Sequence, residues 1–213
     1  MRASSCTEYL PFFSRSLFLT SPSLCFIFFS VILILTGPVQ SGKTRFLGGI
    51  IAGLDRTKTG VSGFLSPAVY EGDRLIGYDL AVLGRDKPVP YLRKRGEPGW
   101  ERIGPYFLIP EGLRDARQTI LESRACDLLV VDEVGPLEIG GGGVWSPLAT
   151  VLANPGRRGL LVVRAACLEA LPARLGGRPY KVFSIEKPAA RDSLLSEIAR
   201  GDPEPGLPAG RET

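Results

Sequence analysis

Residues 31–44 read Val-Ile-Leu-Ile-Leu-Thr-Gly-Pro-Val-Gln-Ser-Gly-Lys-Thr. No other stretch constrains the fold as much. The apolar, β-branched run 31–35 predicts a buried strand. Gly37, Pro38, Val39, Gln40, Ser41, Gly42, Lys43 and Thr44 then match G-x-x-x-x-G-K-[ST]. Glycines let the backbone curl so that successive N–H groups point inward at phosphates. A helix starting there presents its positive end to the same anion. Lys43 is placed to reach β- and γ-oxygens, and the Thr44 hydroxyl to ligate Mg²⁺. A strand that feeds such a turn into a helix commits the chain to an α/β fold.

Downstream, strands and helices are expected to alternate. A helix is predicted over 43–55, with Phe46, Leu47, Ile50, Ile51 and Leu54 at helical spacing. A hairpin is predicted over 63–83, with arms 64–70 and 75–83 about a turn at 71–74. Residues 84–100 carry Pro88, Pro90, Gly96, Pro98 and Gly99 and read as loop. A strand at 104–109 precedes a helix at 110–124 whose first turn holds Pro110 and Glu111. A second apolar strand, 128–131, is followed by a glycine loop at 140–143 and a helix at 146–153. A strand at 160–163, a helix at 168–175, a strand at 180–185 and a helix at 189–200 complete the series. The pattern predicts a mostly parallel sheet with helices on both faces and an antiparallel hairpin at the edge.

Leu128-Leu129-Val130-Val131-Asp132 is four apolar residues and an acid at a strand's end, the Walker B pattern. Asp132 is expected to hold Mg²⁺ through water. Glu133, next in line, is placed to take a proton from an attacking water; otherwise it is a surface carboxylate. Asp132-Glu133-Val134-Gly135 also spells D-x-x-G, but no [NT]-K-x-D guanine motif accompanies it. Arg164 follows a strand at the end where α/β sheets bind ligands. It is expected either to stabilise the γ-phosphate or to make a salt bridge. Glu138 is a candidate to orient water or Arg164. Lys187 and Arg191 follow the last strand and either border the base or lie on the surface.

The length, 213 residues, suits one domain. The chain has no histidine, which removes His-based triads, His metal sites and imidazole catalysis. Its four cysteines lack zinc-site spacing and read as scattered thiols of a reducing, cytoplasmic compartment. The net charge of +4 comes without a basic stripe interleaved with aromatics, so no specific nucleic-acid partner is expected. Arg93-Lys94-Arg95 is the one dense cluster, read as a solvated loop or as contacts to phosphate.

Six of the ten phenylalanines fall in the first 30 residues. The apolar run 24–35 is too short for a membrane span, and no signal-cleavage pattern follows it. Residues 1–29 are therefore expected to be a non-core extension, either a membrane-associating leader or a misassigned start. Residues 30–200 form the expected domain. Residues 201–213, with three prolines and three glycines, are an expected disordered tail.

Taken together, these residues resemble the P-loop nucleoside-triphosphatase family of the cancer-related type. The similarity runs over about residues 31–195. It is carried by Leu35-Thr36-Gly37-Pro38 and Gly42-Lys43-Thr44, by Gly63-Phe64 and by Gly77-Tyr78-Asp79. It is carried most selectively by Asp132-Glu133-Val134-Gly135-Pro136-Leu137-Glu138. The resemblance implies a RecA-like sheet with the Walker B strand next to the P-loop strand. It implies Mg²⁺-dependent hydrolysis of nucleoside triphosphates, ATP and GTP among them, with broad base tolerance. By position, 37–44 and Val131, Asp132, Glu133, Val134, Gly135, Pro136 and Leu137 would carry the nucleotide. Gln40 stands where many members have Gly, Arg45 where they have Thr, and Ser66-Pro67 where some have Thr-Glu. Two other classes fit the same loop: a small-molecule kinase, for which Arg93–Arg95 is the candidate lid, and a non-catalytic nucleotide-gated adaptor.

Overall fold

The computed structural model describes residues 30–200; the expectations for 1–29 and 201–213 lie outside the described residues. Strand β1 (Ile32–Thr36) is buried along its length because it serves two cores. Ile32 and Ile34 point to one face of the sheet, Leu33 and Leu35 to the other. Loop 37–42 leads into α1 (Lys43–Ala52). Then come β2 (Val61–Leu65), β3 (Ala68–Glu71), β4 (Arg74–Val82), β5 (Val89–Arg93), β6 (Glu101–Ile103) and β7 (Tyr106–Leu108). Helix α2 (Pro110–Glu122) follows, then β8 (Leu128–Val134), α3 (Pro136–Ile139), α4 (Trp145–Leu152) and β9 (Arg158–Val163). The chain closes with α5 (Leu171–Arg174), β10 (Tyr180–Ser184) and α6 (Ala190–Arg200).

All strands join one sheet in the order β10-β1-β9-β8-β2-β4-β5-β7-β6, with β3 paired to β4. From β10 to β2 the neighbours are parallel; from β2 onward they are antiparallel. Helices cover both faces of the parallel part. α1 and α6 bring Leu47, Ile50, Leu194 and Ile198 against Leu33, Leu35, Val130 and Leu160. α2, α4 and α5 bring Ala116, Ile120, Leu148, Val151 and Leu171 against the opposite face.

Two arginines tie together the amino ends of the parallel strands. Arg178, 6% exposed, donates to the carbonyls of Ser30 (2.7 Å), Leu152 (2.6 Å), Asn154 (2.8 Å) and Arg157 (2.7 Å). Arg157, equally buried, donates to the carbonyls of Ser123 and Cys126. Each guanidinium's planar fork of donors satisfies carbonyls that the loops leave without strand partners.

Several expectations change. The antiparallel part is larger than a hairpin, because 84–100 is not all loop. β5 lies within it, with Tyr91 and Leu92 buried. Pro90 is tolerated there because it falls at an irregularity of the β4–β5 ladder, opposite Asp79, where a donor is least needed. The predicted strand 104–109 is a second hairpin, β6–β7. The first hairpin does form, but its arm 64–70 breaks at Ser66-Pro67. β2 pairs one half of β4, and β3 pairs the other. The predicted helix 168–175 shrinks to the single turn α5, since Pro172 lacks the N–H that a helix begun at Leu168 would need.

The Walker B strand does not lie next to the P-loop strand. β9 stands between β1 and β8. Leu160 and Val162 pack into one core, Leu161 and Val163 into the other, all at most 2% exposed. A strand this apolar on both faces belongs at the centre of a sheet.

Candidate active site

Three parallel strands, β1, β9 and β8, end side by side. Each ends in residues singled out by the sequence. β1 runs into loop 37–42, in which Pro38, Val39, Gln40, Ser41 and Gly42 face solvent. Gly37 lets the loop approach the end of β10: a Cβ there would lie 2.8 Å from Ile185 Cγ1. Gly42 (φ 84°) turns the chain into α1. The Thr36 hydroxyl donates to the Val163 carbonyl at 2.9 Å and so fastens the loop's root to β9.

Lys43 folds back over the loop and donates to the carbonyls of Gly37 (3.0 Å) and Pro38 (2.6 Å). Its surroundings lower its pKa through burial, against the opposing pull of the Glu133 and Asp132 carboxylates. Lys43, Asp132, Glu133 and Arg164 thus act on one another electrostatically across one site. Thr44, in the first turn of α1, makes a side-chain hydrogen bond with Asp132.

At the end of β8 the ladder to β9 slips between Val131 and Val134. This irregularity gives Glu133 a positive φ of 78° and turns consecutive side chains to different tasks. Asp132 is 2% exposed, and its Oδ2 accepts from the Ser66 N–H at 2.9 Å. The Ser66 hydroxyl donates to the Asp132 carbonyl at 3.3 Å. Burial pushes the Asp132 carboxyl up to about 6, partly offset by the Ser66 and Thr44 hydrogen bonds. Glu133 turns instead toward Arg164, which donates to its Oε1 through Nε (2.9 Å) and through the terminal guanidinium nitrogen. The Arg164 N–H donates to the Val134 carbonyl at 3.1 Å, holding the backbone of β9's end beside the slipped ladder.

Gly135, Pro136 and Leu137 follow at the start of α3. Glu138 does not orient Arg164. It accepts hydrogen bonds from the backbone N–H groups of Gly135 (3.0 Å), Glu138 itself and Val144, and burial raises its pKa. It is the cap that closes α3 against the glycine loop.

Other candidates fall away from the loop. Arg191 donates to the Gly49 carbonyl (3.1 Å), midway along α1. Arg93 is committed to Asp79 at 2.5 Å inside β5, which removes it as a lid cation.

Sequence reading missed two groups here. Ser66 was noted only as a departure from the family pattern, yet it anchors Asp132. No local pattern signals this, because Ser66 meets Asp132 only through the long-range pairing of β2 with β8. Tyr78 stacks edge-on with Tyr106 (5.3 Å between ring centres) and feels the charges of Glu133 and Arg164. Its pKa is raised by burial and by its hydrogen bond with Tyr106.

The NTPase family profile matches residues 32–199, most of the chain and all of this site. The chain belongs to the NTPase family. It is similar to the nucleoside-triphosphatase THEP1 of Saccharolobus solfataricus, 30% identical over 77% of this chain and 88% of that one. The THEP1 of Metallosphaera sedula is 29% identical over 79% and 87%. Among solved structures, a human cancer-related nucleoside triphosphatase superimposes with a TM-score of 0.61 at 26% identity, over 80% of this chain and 96% of that one. THEP1 from Aquifex aeolicus shares the fold, with a TM-score of 0.54.

Proposed function

We propose that this protein hydrolyses nucleoside triphosphates to diphosphate and phosphate, with broad tolerance of the base. One observation carries the reading: the lysine of a phosphate loop, a buried aspartate and a second carboxylate meet at the ends of three adjacent strands. The relatives' names, nucleoside-triphosphatase THEP1 and cancer-related nucleoside-triphosphatase, support it.

Loop 37–42 and the amino end of α1 receive the phosphates through backbone N–H groups. Lys43 exchanges the carbonyls of Gly37 and Pro38 for β- and γ-oxygens. Glu133 accepts a proton as the water oxygen attacks the γ-phosphorus in line. The bond from that phosphorus to the β,γ-bridging oxygen breaks, and the diphosphate leaves. Arg164 balances charge gathering on the γ-phosphoryl oxygens.

The residues suit Mg²⁺. Thr44 Oγ and Asp132 are hard oxygen donors side by side, and Asp132 is a buried carboxylate with Ser66 and Thr44 as its hydrogen-bond partners. Thr44 directly, and Asp132 through water, would hold the ion, which when bound neutralises the β- and γ-phosphates. The free thiols Cys126 and Cys167 suit a reducing cytoplasm. Among the described residues no helix is long and apolar enough to cross a membrane.

The test is phosphate release from a panel of NTPs and dNTPs, with and without Mg²⁺. Release from several bases, lost without the metal, is expected. Lys43→Ala should abolish nucleotide binding or turnover. Glu133→Gln should keep binding and slow release by about 10²-fold or more. Wild-type turnover in Glu133→Gln would remove the base assignment, and tight binding with no release by the native chain would favour the adaptor.

A further inference from the structure

The Glu133–Arg164 pair engages one oxygen of the carboxylate that the reaction needs and fixes its orientation. Glu133 Oε1 accepts two hydrogen bonds from one guanidinium, so the carboxylate is turned toward Arg164 and only Oε2 is left to take a water proton. The pair is not buried: the side chains of Arg164 and Glu133 are 44% and 27% exposed. Such a pair separates at small cost. Arg164 lies at the end of β9, between the phosphate loop at the end of β1 and Glu133 at the end of β8. A γ-phosphoryl group in the loop would offer this guanidinium two or three anionic oxygens in place of one carboxylate. A diphosphate would offer none at that position.

We propose that Arg164 is a latch on Glu133, released when a γ-phosphate takes the guanidinium, so that bound triphosphate arms the site and bound diphosphate leaves it closed. This rests on the hydrolytic reading above and adds to it a positioning and specificity role for one ion pair. Triphosphate binding then includes the breaking of the pair, and diphosphate binding does not. Removing Glu133 should therefore help the triphosphate alone, and only while Arg164 is present.

The experiment is a double-mutant cycle on affinity for a non-hydrolysable NTP analogue and for the matching NDP. It uses the native chain, Glu133→Ala, Arg164→Ala and the double variant. Glu133→Ala is expected to tighten the analogue about three- to five-fold and leave NDP unchanged. In the Arg164→Ala background the same change should have no effect on either nucleotide. Glu133→Gln, which keeps the side chain's volume, should repeat the direction should Glu133→Ala not fold.

Equal tightening with and without Arg164 would mean simple relief of carboxylate–phosphate repulsion and would overturn the latch. So would tightening of NDP and analogue alike. Phosphate release by the native chain is measured alongside. Release without coupling sinks the latch alone. Coupling without release sinks hydrolysis and leaves the ion-pair exchange standing.

Discussion

Gln40 holds a backbone conformation, φ 62°, that L side chains adopt at a cost of roughly 1–2 kcal/mol. It sits at the exposed crest of the phosphate loop, the position where the family pattern often has Gly. Gln40→Gly removes the steric cost but adds about 0.5–1 kcal/mol of unfolded-state entropy. A net gain of about 0.5 kcal/mol is expected, read as a higher urea midpoint with an unchanged slope. A lower midpoint would show that the Gln40 side chain holds the loop. Lys43, Thr44, Asp132 and Glu133 were legible in the sequence because their chemistry is tied to fixed spacing. Ser66 and Tyr78 were not, because they reach the site through pairing between strands far apart in the chain. Glu138 was misread because its carboxylate looked free in sequence, whereas backbone N–H groups consume it.

At the scale of elements, β2 is the join between the parallel and antiparallel parts. Gly63 faces Val130 across the β2–β8 ladder, and a Cβ there would stand 1.8 Å from the Val130 carbonyl oxygen, at a φ of 123° that side chains avoid. Gly63→Ala is expected to cost about 3 kcal/mol or more. By shifting β2 it should also loosen Ser66 from Asp132, so a lower melting temperature and a weaker response to Mg²⁺ should appear together. An intact Mg²⁺ response in a folded but destabilised variant would separate β2 from the site. β1, β8 and β9 were readable as continuous apolar runs, since both their faces are covered. β5 was hidden by Pro88, just before it, and by Pro90, which the ladder accommodates at an irregularity that no local pattern announces. The position of β9 is a question of which strand neighbours which, and only long-range packing answers it.

At the scale of the whole described fold, the reactive side chains and the two buried arginine fastenings sit at opposite ends of the parallel strands. The carboxyl ends of the parallel strands carry Lys43, Asp132, Glu133 and Arg164, and the amino ends carry Arg157 and Arg178. Arg178→Met would leave the carbonyls of Ser30, Leu152, Asn154 and Arg157 without that donor. A loss of about 2–4 kcal/mol is expected, or roughly 5–15 °C in Tm. KM and kcat, measured well below the new transition, should stay unchanged; a fall in kcat at that temperature would show that the two rims communicate. Changes confined to the amino-end rim therefore offer a lineage one route to a hotter or colder habitat that leaves its catalyst as it is.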